Sequence, residues 1–578
     1  MSIGYRESAC FPPMRYYTIL AVPVLFGLLF SGAVVYRQVS VSGAAQSERV
    51  ERQHRRGIDL PALRGNIYDR NGLPLAISVP EYDVTAQLGD MRNSTGIEEL
   101  IELLEPYETV PGRVRSQLSR ESDGEVTLAR GISLRTKRKL EAMHRSCELR
   151  GLHFEQNRRG RYYPIAEAGA LITGYINHRG QGQAGLERAF SRQLRPQWGR
   201  AEVTRVPDRG KPCHHLQRDI AVRIVEPARD GRTLHSSLDG NLQVQTYRRL
   251  VDHVKATAAK RGSVAVLNAE TGEVLALANY PSFTPNKVPG ADALTPNIAL
   301  HHVIEPGSTL KPFFLAAGME FGLLTPEETI DLTRPEIRIN GELFRDPRPL
   351  GVITRSQALV RSSQVGAVDV FSQLPERKAV DFLRSMGFTH PLELNLGAAR
   401  GAIAEPSPQL GYGYGMNTNL LQLLRAYAVF VNGGYRVRLM LERTDEPTRR
   451  ERVLSGEVAS ALREILYAVV EDPNGTGRRA GVEGYRIGGK TGTAQSYATR
   501  YDGSRYNTNF IGFIDSDPAL VVGVWLLDVG PERHYASNVA APLARDVFKS
   551  IINTQGLLPQ DTLRDSVQLA HHAAGRSR

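Results

Sequence analysis

Glu305-Pro306-Gly307-Ser308-Thr309-Leu310-Lys311-Pro312 sets a hydroxyl and an amine three residues apart, directly after a helix-breaking Pro-Gly pair. If a helix starts near Ser308, positions i and i+3 share a face and the Lys311 nitrogen stands beside the Ser308 oxygen. A serine hydroxyl is a poor nucleophile until a base accepts its proton, and a desolvated, neutral lysine is such a base. One Ser-x-x-Lys is expected by chance about once or twice in a chain of this length and ordinary composition. Its meaning therefore rests on what lies downstream.

Two further strings follow in order, Ser362-Ser363-Gln364 and Lys490-Thr491-Gly492-Thr493, the second inside Gly488-Gly489-Lys490-Thr491-Gly492-Thr493-Ala494-Gln495. No histidine stands in any of the three, which disfavours a Ser-His-Asp triad. Alone, Lys-Thr-Gly reads as a surface turn. In this order, Ser-x-x-Lys, a serine-x-amide tripeptide and Lys-Thr-Gly resemble the penicillin-binding proteins and serine β-lactamases. With their flanks, they resemble the class B penicillin-binding proteins.

That resemblance implies a peptidoglycan D,D-transpeptidase. Ser308 attacks the D-Ala-D-Ala carbonyl of a stem peptide, and the acyl-enzyme passes to another stem's amine. Lys311 takes the serine proton, which requires a pKa lowered by desolvation or by a neighbouring cation, with Lys490 as the candidate cation. Ser362 relays a proton to the leaving amine. The backbone N–H groups of Ser308 and Thr493 form the oxyanion hole. Tyr485 to Gly489 is a strand-like lead-in, so a stem peptide or β-lactam pairs against Lys490, Thr491, Gly492 and Thr493 as an added strand. The two threonine hydroxyls and the Lys490 charge then receive the terminal carboxylate. The family's middle motif ends in asparagine, whereas this chain has Gln364. One extra methylene displaces a hydrogen bond by about 1 Å, and errors of that size cost roughly 100-fold in rate. The expectation is retained activity with altered substrate or β-lactam preference. No metal or organic cofactor is implied.

The chain has 578 residues, too many for one core, with 41% hydrophobic and 23% charged residues, the composition of an ordinary globular protein. Its net charge of +11 fits a solvated basic surface near an anionic membrane or wall better than nucleic acid. Tyr16 to Tyr36 is uncharged and rich in Leu, Val, Ala and Phe. About 21 such residues span roughly 31 Å as a helix, the thickness of a bilayer core. An uncleaved anchor is expected over residues 16–36, with 1–15 as a cytoplasmic tail; a cleaved signal peptide is the rival, though its apolar core would be unusually long. The protein is then a single-pass protein of the bacterial inner membrane with its catalytic domain outside. Three cysteines make no disulfide framework; a Cys147–Cys213 bond stays open, and Cys213-His214-His215 lacks a second ligand group at metal-finger spacing.

Residues 37–59 read as a polar stalk. Arg64-Gly65-Asn66-Ile67-Tyr68-Asp69-Arg70-Asn71-Gly72-Leu73-Pro74-Leu75-Ala76 contains a hairpin turn at Asn71-Gly72, and its arginines and aspartate read most simply as surface ion pairs. As a whole, the string resembles the opening of the class B non-catalytic module, as do Arg161-Tyr162-Tyr163-Pro164 and Gly182-Gln183-Ala184-Gly185-Leu186-Glu187. Residues 200–232 read as an irregular connector. A helix is expected from Asp239 through Lys255, with strand pairs at 263–268/274–280 and 509–514/520–527. Gly411-Tyr412-Gly413-Tyr414-Gly415 precedes a helix packed behind the site; it lacks the lysine of a phosphate loop.

The expected fold is multidomain α+β. It comprises a single N-terminal transmembrane helix, an elongated non-catalytic pedestal of dimerisation type (60–230), and a penicillin-binding transpeptidase domain (231–553) with an antiparallel, serine β-lactamase-like sheet flanked by helices. A polar tail (554–578) closes it. The resemblance adds that strands from both ends of the catalytic domain share that sheet. It also implies peptidoglycan stem peptides, β-lactam antibiotics, a polytopic SEDS-type glycosyltransferase and other division membrane proteins as partners, and no nucleic acid. The division type is favoured over elongation. The other readings are a catalytically weakened β-lactam-binding scaffold or sensor and, least favoured, a β-lactamase.

Overall fold

A computed structural model describes residues 13–37, 55–107, 116, 124–157, 160–207, 217–287, 296–443, 450–496 and 505–559. Two compact units interleave along the chain: Met1–Ala62, Tyr82–Gln156 and Gln197–Arg229 in one, Leu63–Glu81, Asn157–Pro196 and Asp230–Arg578 in the other. The expected span falls on a helix, Pro13–Tyr36, of 24 residues. Its side chains are described from Pro23 onward and are exposed. Among the described residues no helix is long and apolar enough to cross a membrane.

The first unit corrects one expectation. The supposed connector forms two antiparallel strands, Gly199–Pro207 and Gln217–Glu226, and Arg55–Leu60, at the end of the supposed stalk, joins them as a third. Ala201 and Val203 are buried and alternate with Arg200 and Glu202. This is a period-two pattern in which small apolar residues are outnumbered by charge. A second sheet packs Val84 and Leu128 with Leu100 and Leu140 from two helices, Ile97–Leu104 and Leu134–Arg145. Cys147 is disulfide-bonded; Cys10 and Cys213-His214-His215 lie outside the described residues.

The second unit is built on a five-stranded antiparallel sheet: β1 (Arg261–Asn268), β2 (Val274–Tyr280), β3 (Ile487–Gln495), β4 (Tyr506–Ile514) and β5 (Leu520–Val529), in the order β2-β1-β5-β4-β3. Strands from both ends of the domain therefore share one sheet, as the resemblance implied. Alternate residues serve two cores. Val264 and Val522 face helices α1 (Gly240–Thr257) and α5 (Ala536–Gln555). Ala265, Val521 and Trp525 share the other core with α2 (Lys311–Glu320), α3 (Gln364–Ser372) and α4 (Leu420–Val431). Burial on both faces is why β1, β2, β5 and the second half of β4 read as nearly continuous apolar runs.

The three pedestal-type strings also meet in this unit. Ile67–Tyr68 and Pro74–Ser78 form the expected hairpin, with Gly72 at φ +84° in its turn. The surface-ion-pair reading is overturned, because Asp69 is fully buried. It accepts the backbone N–H groups of Asn71 (2.8 Å), Leu73 (2.7 Å) and Gly240 (2.9 Å). Glu187, also fully buried, lies between Arg64 (2.6 Å) and Arg161 (2.7 Å). Buried carboxylates need such partners, since a bare charge in an apolar interior is strongly disfavoured.

Candidate active site

Ser308 stands in a 3₁₀ turn, Gly307–Leu310, that runs directly into α2. Side chains at i and i+3 eclipse in a 3₁₀ turn, so Ser308 and Lys311 share a face. Pro306-Gly307 stops any helix from starting earlier, and Gly307 takes φ +58°, a region that favours glycine. The turn is held from several sides. Gly307 N–H donates to Gly413 O (3.2 Å), the Thr309 hydroxyl donates to Pro306 O (2.8 Å), and the Tyr427 hydroxyl of α4 donates to Thr309 O (2.7 Å).

Lys311 is buried, and its Nζ donates to Ser362 O (2.6 Å), Ser363 O (3.0 Å) and Ser362 Oγ (3.4 Å). Among the described residues its hydrogen bonds run to the Ser362-Ser363 turn and none joins it to Ser308. Burial pulls the Lys311 pKa down to about 7, with the Asp346 charge opposing. Desolvation, not a neighbouring cation, is thus the leading cause. Lys490, on β3, is fully buried and donates Nζ to Ser362 Oγ (2.8 Å) and Thr491 O (3.1 Å). Burial, then the Lys311 charge, holds its own pKa well below the usual lysine range. Lys490 is therefore directed at Ser362.

Ser362 links the helix Arg355–Val360 to α3 at φ +60°, a left-handed conformation unusual for a side-chain-bearing residue. Its hydroxyl accepts from both lysines. Ser363 caps α3, its Oγ accepting from Gly366 N (2.8 Å) and donating to Asp346 Oδ2 (2.5 Å). Gln364 N–H donates to Asp346 Oδ1 (2.6 Å). Asp346 thus braces the middle motif, although it stands in no motif and only folding brings it there. The Gln364 amide faces the Tyr412 phenol, whose pKa burial raises and Gln364 holds back. Tyr412 packs against Tyr414 (5.2 Å) and Phe344 (6.1 Å between centroids).

β3 is an edge strand, so its outer side is open to an added strand. Gly492 and Thr493 pair with Asn509 and Thr508 of β4 on the inner side. A Cβ on Gly307 would lie 3.1 Å from Thr493 O, so the serine turn and this strand approach backbone to backbone. The two threonines do not act alike. The Thr491 hydroxyl donates to Thr476 Oγ1 (3.0 Å), whereas Thr493 Oγ1 accepts from Ala536 N (3.1 Å) and keeps its own proton to donate. The structure thus brings Ser308, Lys311, Ser362, Lys490 and Thr493 to one place, with Gln364 on its Tyr412 side and Thr491 turned towards Thr476.

Family models match both parts of the chain: the penicillin-binding protein dimerisation domain over residues 59–236 and the penicillin-binding protein transpeptidase domain over residues 262–549. The chain is 28% identical to the probable peptidoglycan D,D-transpeptidase PbpC of Pseudomonas aeruginosa, over 96% of this chain and 98% of that one. It is also 28% identical to the peptidoglycan D,D-transpeptidase FtsI of Escherichia coli K12, over 96% of this chain and 94% of that one. The crystal structure of penicillin-binding protein 2X from Streptococcus thermophilus superposes with a TM-score of 0.71 at 21% identity, covering 86% of this chain and 80% of that one. That likeness shows the fold.

Proposed function

We propose a function from one premise: the chain belongs to the class B penicillin-binding proteins. The protein is a serine D,D-transpeptidase that cross-links peptidoglycan stem peptides and is acylated by β-lactams. The observation that carries this reading is the Ser362 hydroxyl between two buried lysines, one of which has a pKa of about 7. Neutral Lys311 accepts the Ser308 proton as Oγ attacks the D-Ala-D-Ala carbonyl, and the Ser308 and Thr493 N–H groups hold the oxyanion. A proton passes through Ser362 and Lys490 to the departing D-Ala amine as the C–N bond breaks. The amine of a second stem then attacks the ester, an amide forms, and Ser308 regains its proton. The stem lies along the open edge of β3, with the Thr493 hydroxyl on its carboxylate.

The same reading anchors the protein in the bacterial inner membrane through the helix Pro13–Tyr36, with the dimerisation-type and transpeptidase domains outside. There it works in septal wall synthesis beside a polytopic glycan-polymerising enzyme. Penicillin treatment followed by peptide mass spectrometry tests the chemistry: the adduct is expected on Ser308 and is lost in Ser308→Ala. An adduct elsewhere would sink the assignment, and a native chain that takes no adduct would favour a scaffold or sensor.

A further inference from the structure

Asn509 belongs to none of the three motifs, yet it ties the sheet to the serine turn. It stands on β4 opposite Gly492, is fully buried, and donates Nδ2 to the Pro306 carbonyl at 3.1 Å. Among the described residues its buried Oδ1 has no hydrogen-bond partner. The amide passes close beneath Gly492: a Cβ built there would lie 2.5 Å from Asn509 Oδ1, 2.6 Å from Pro306 O and 2.8 Å from Asn509 Nδ2. The glycine of Lys-Thr-Gly leaves the room this side chain needs. A buried carbonyl oxygen with no donor costs stability, because its lost hydration is not replaced. A leucine of similar shape would avoid that cost, so what asparagine supplies is the donor reaching across to the turn. The turn's other bonds run to Gly413, to Tyr427 and within itself.

We infer that Asn509 is a positioning residue that sets the separation between the Ser308 and Thr493 N–H groups, and so the fit of the oxyanion. This rests on the transpeptidase reading above. Saturation kinetics of acylation by a fluorescent penicillin, on the full-length protein, separate non-covalent binding from the first-order acylation step. Asn509→Leu is expected to slow acylation about 10- to 100-fold, the range for a misplaced or lost oxyanion donor. Its binding constant and the pH midpoint of acylation should stay native, because the surroundings of Lys311 are untouched. Gly492→Ala, which crowds the same amide, should slow acylation too, and the double variant should be no slower than the slower single one. Native acylation in Asn509→Leu, or two fully multiplicative effects, would overturn the inference. If Asn509→Leu does not fold, Asn509→Asp takes its place by the same criteria, since it sets an acceptor against the Pro306 carbonyl. A native chain that is not labelled removes the transpeptidase reading and this role together, whereas a labelled native chain with an unaffected variant removes only the role of Asn509.

Discussion

Two lysines buried around one serine hydroxyl cannot both stay charged at neutral pH without large desolvation and repulsion. Because burial brings Lys311 to about 7, the neutral base is the minor form at pH 6 and the major form at pH 8. Acylation by penicillin should therefore rise about tenfold between those values and then level. Asp346 raises the Lys311 pKa by its charge, so Asp346→Asn should move the midpoint to lower pH while loosening the 362–364 turn. A midpoint that stays put would separate Asp346 from the base. Ser362 carries a second test, since its φ of +60° is strained for serine but not for glycine. Ser362→Gly should hold or gain about 1 kcal/mol of stability while Ser362→Ala does not, and both should slow acylation about 100-fold for want of the relay hydroxyl. Equal melting temperatures for the two variants would argue against strain at this position. The motif residues were legible because their chemistry is local and ordered along the chain. Asp346 and Asn509 were not, because their partners are brought to them only by the fold.

At the scale of strands and helices, legibility followed apolar content. β1, β2, β4 and β5 announce themselves as runs such as Val264 to Leu267 and Leu520 to Leu527, because both of their faces are covered. The hairpin of Gly199–Pro207 and Gln217–Glu226 did not. Its buried positions are small, and it leaves Val222 and Ile224 exposed beside arginines, a composition that passes for a linker. The arginines of the pedestal-type strings misled in the opposite direction, since charge is normally exposed. Their pairing through Glu187 joins three segments far apart in sequence, Arg64 and Arg161 among them. Glu187→Gln should leave two guanidinium groups short of their counter-charge and cost about 3–5 kcal/mol, read as a lower urea midpoint. Acylation of the folded fraction should be unchanged, because Glu187 bonds to no residue of the three motifs. A variant of native stability would show that packing, not the ion pairs, holds these strings.

For the whole molecule, the proposed attachment to a membrane is the property to test. Two physical causes compete: insertion of the helix Pro13–Tyr36 and adhesion of a surface whose net charge is +11. Salt separates them. At about 1 M salt the screening length falls to about 3 Å, which abolishes attraction between a basic surface and anionic lipid, whereas apolar insertion is undiminished. The full-length protein should therefore stay with membranes through a 1 M salt wash and leave only in detergent. Removing residues 1–37 should release it, and without loss of fold, because among the described residues no core cluster contains one before Ile67. The shortened chain should take up fluorescent penicillin at the native rate, since all three motifs and their braces lie beyond residue 300. Release of the full-length protein by salt alone would assign the attachment to charge, and the membrane-spanning role of the first helix would fall.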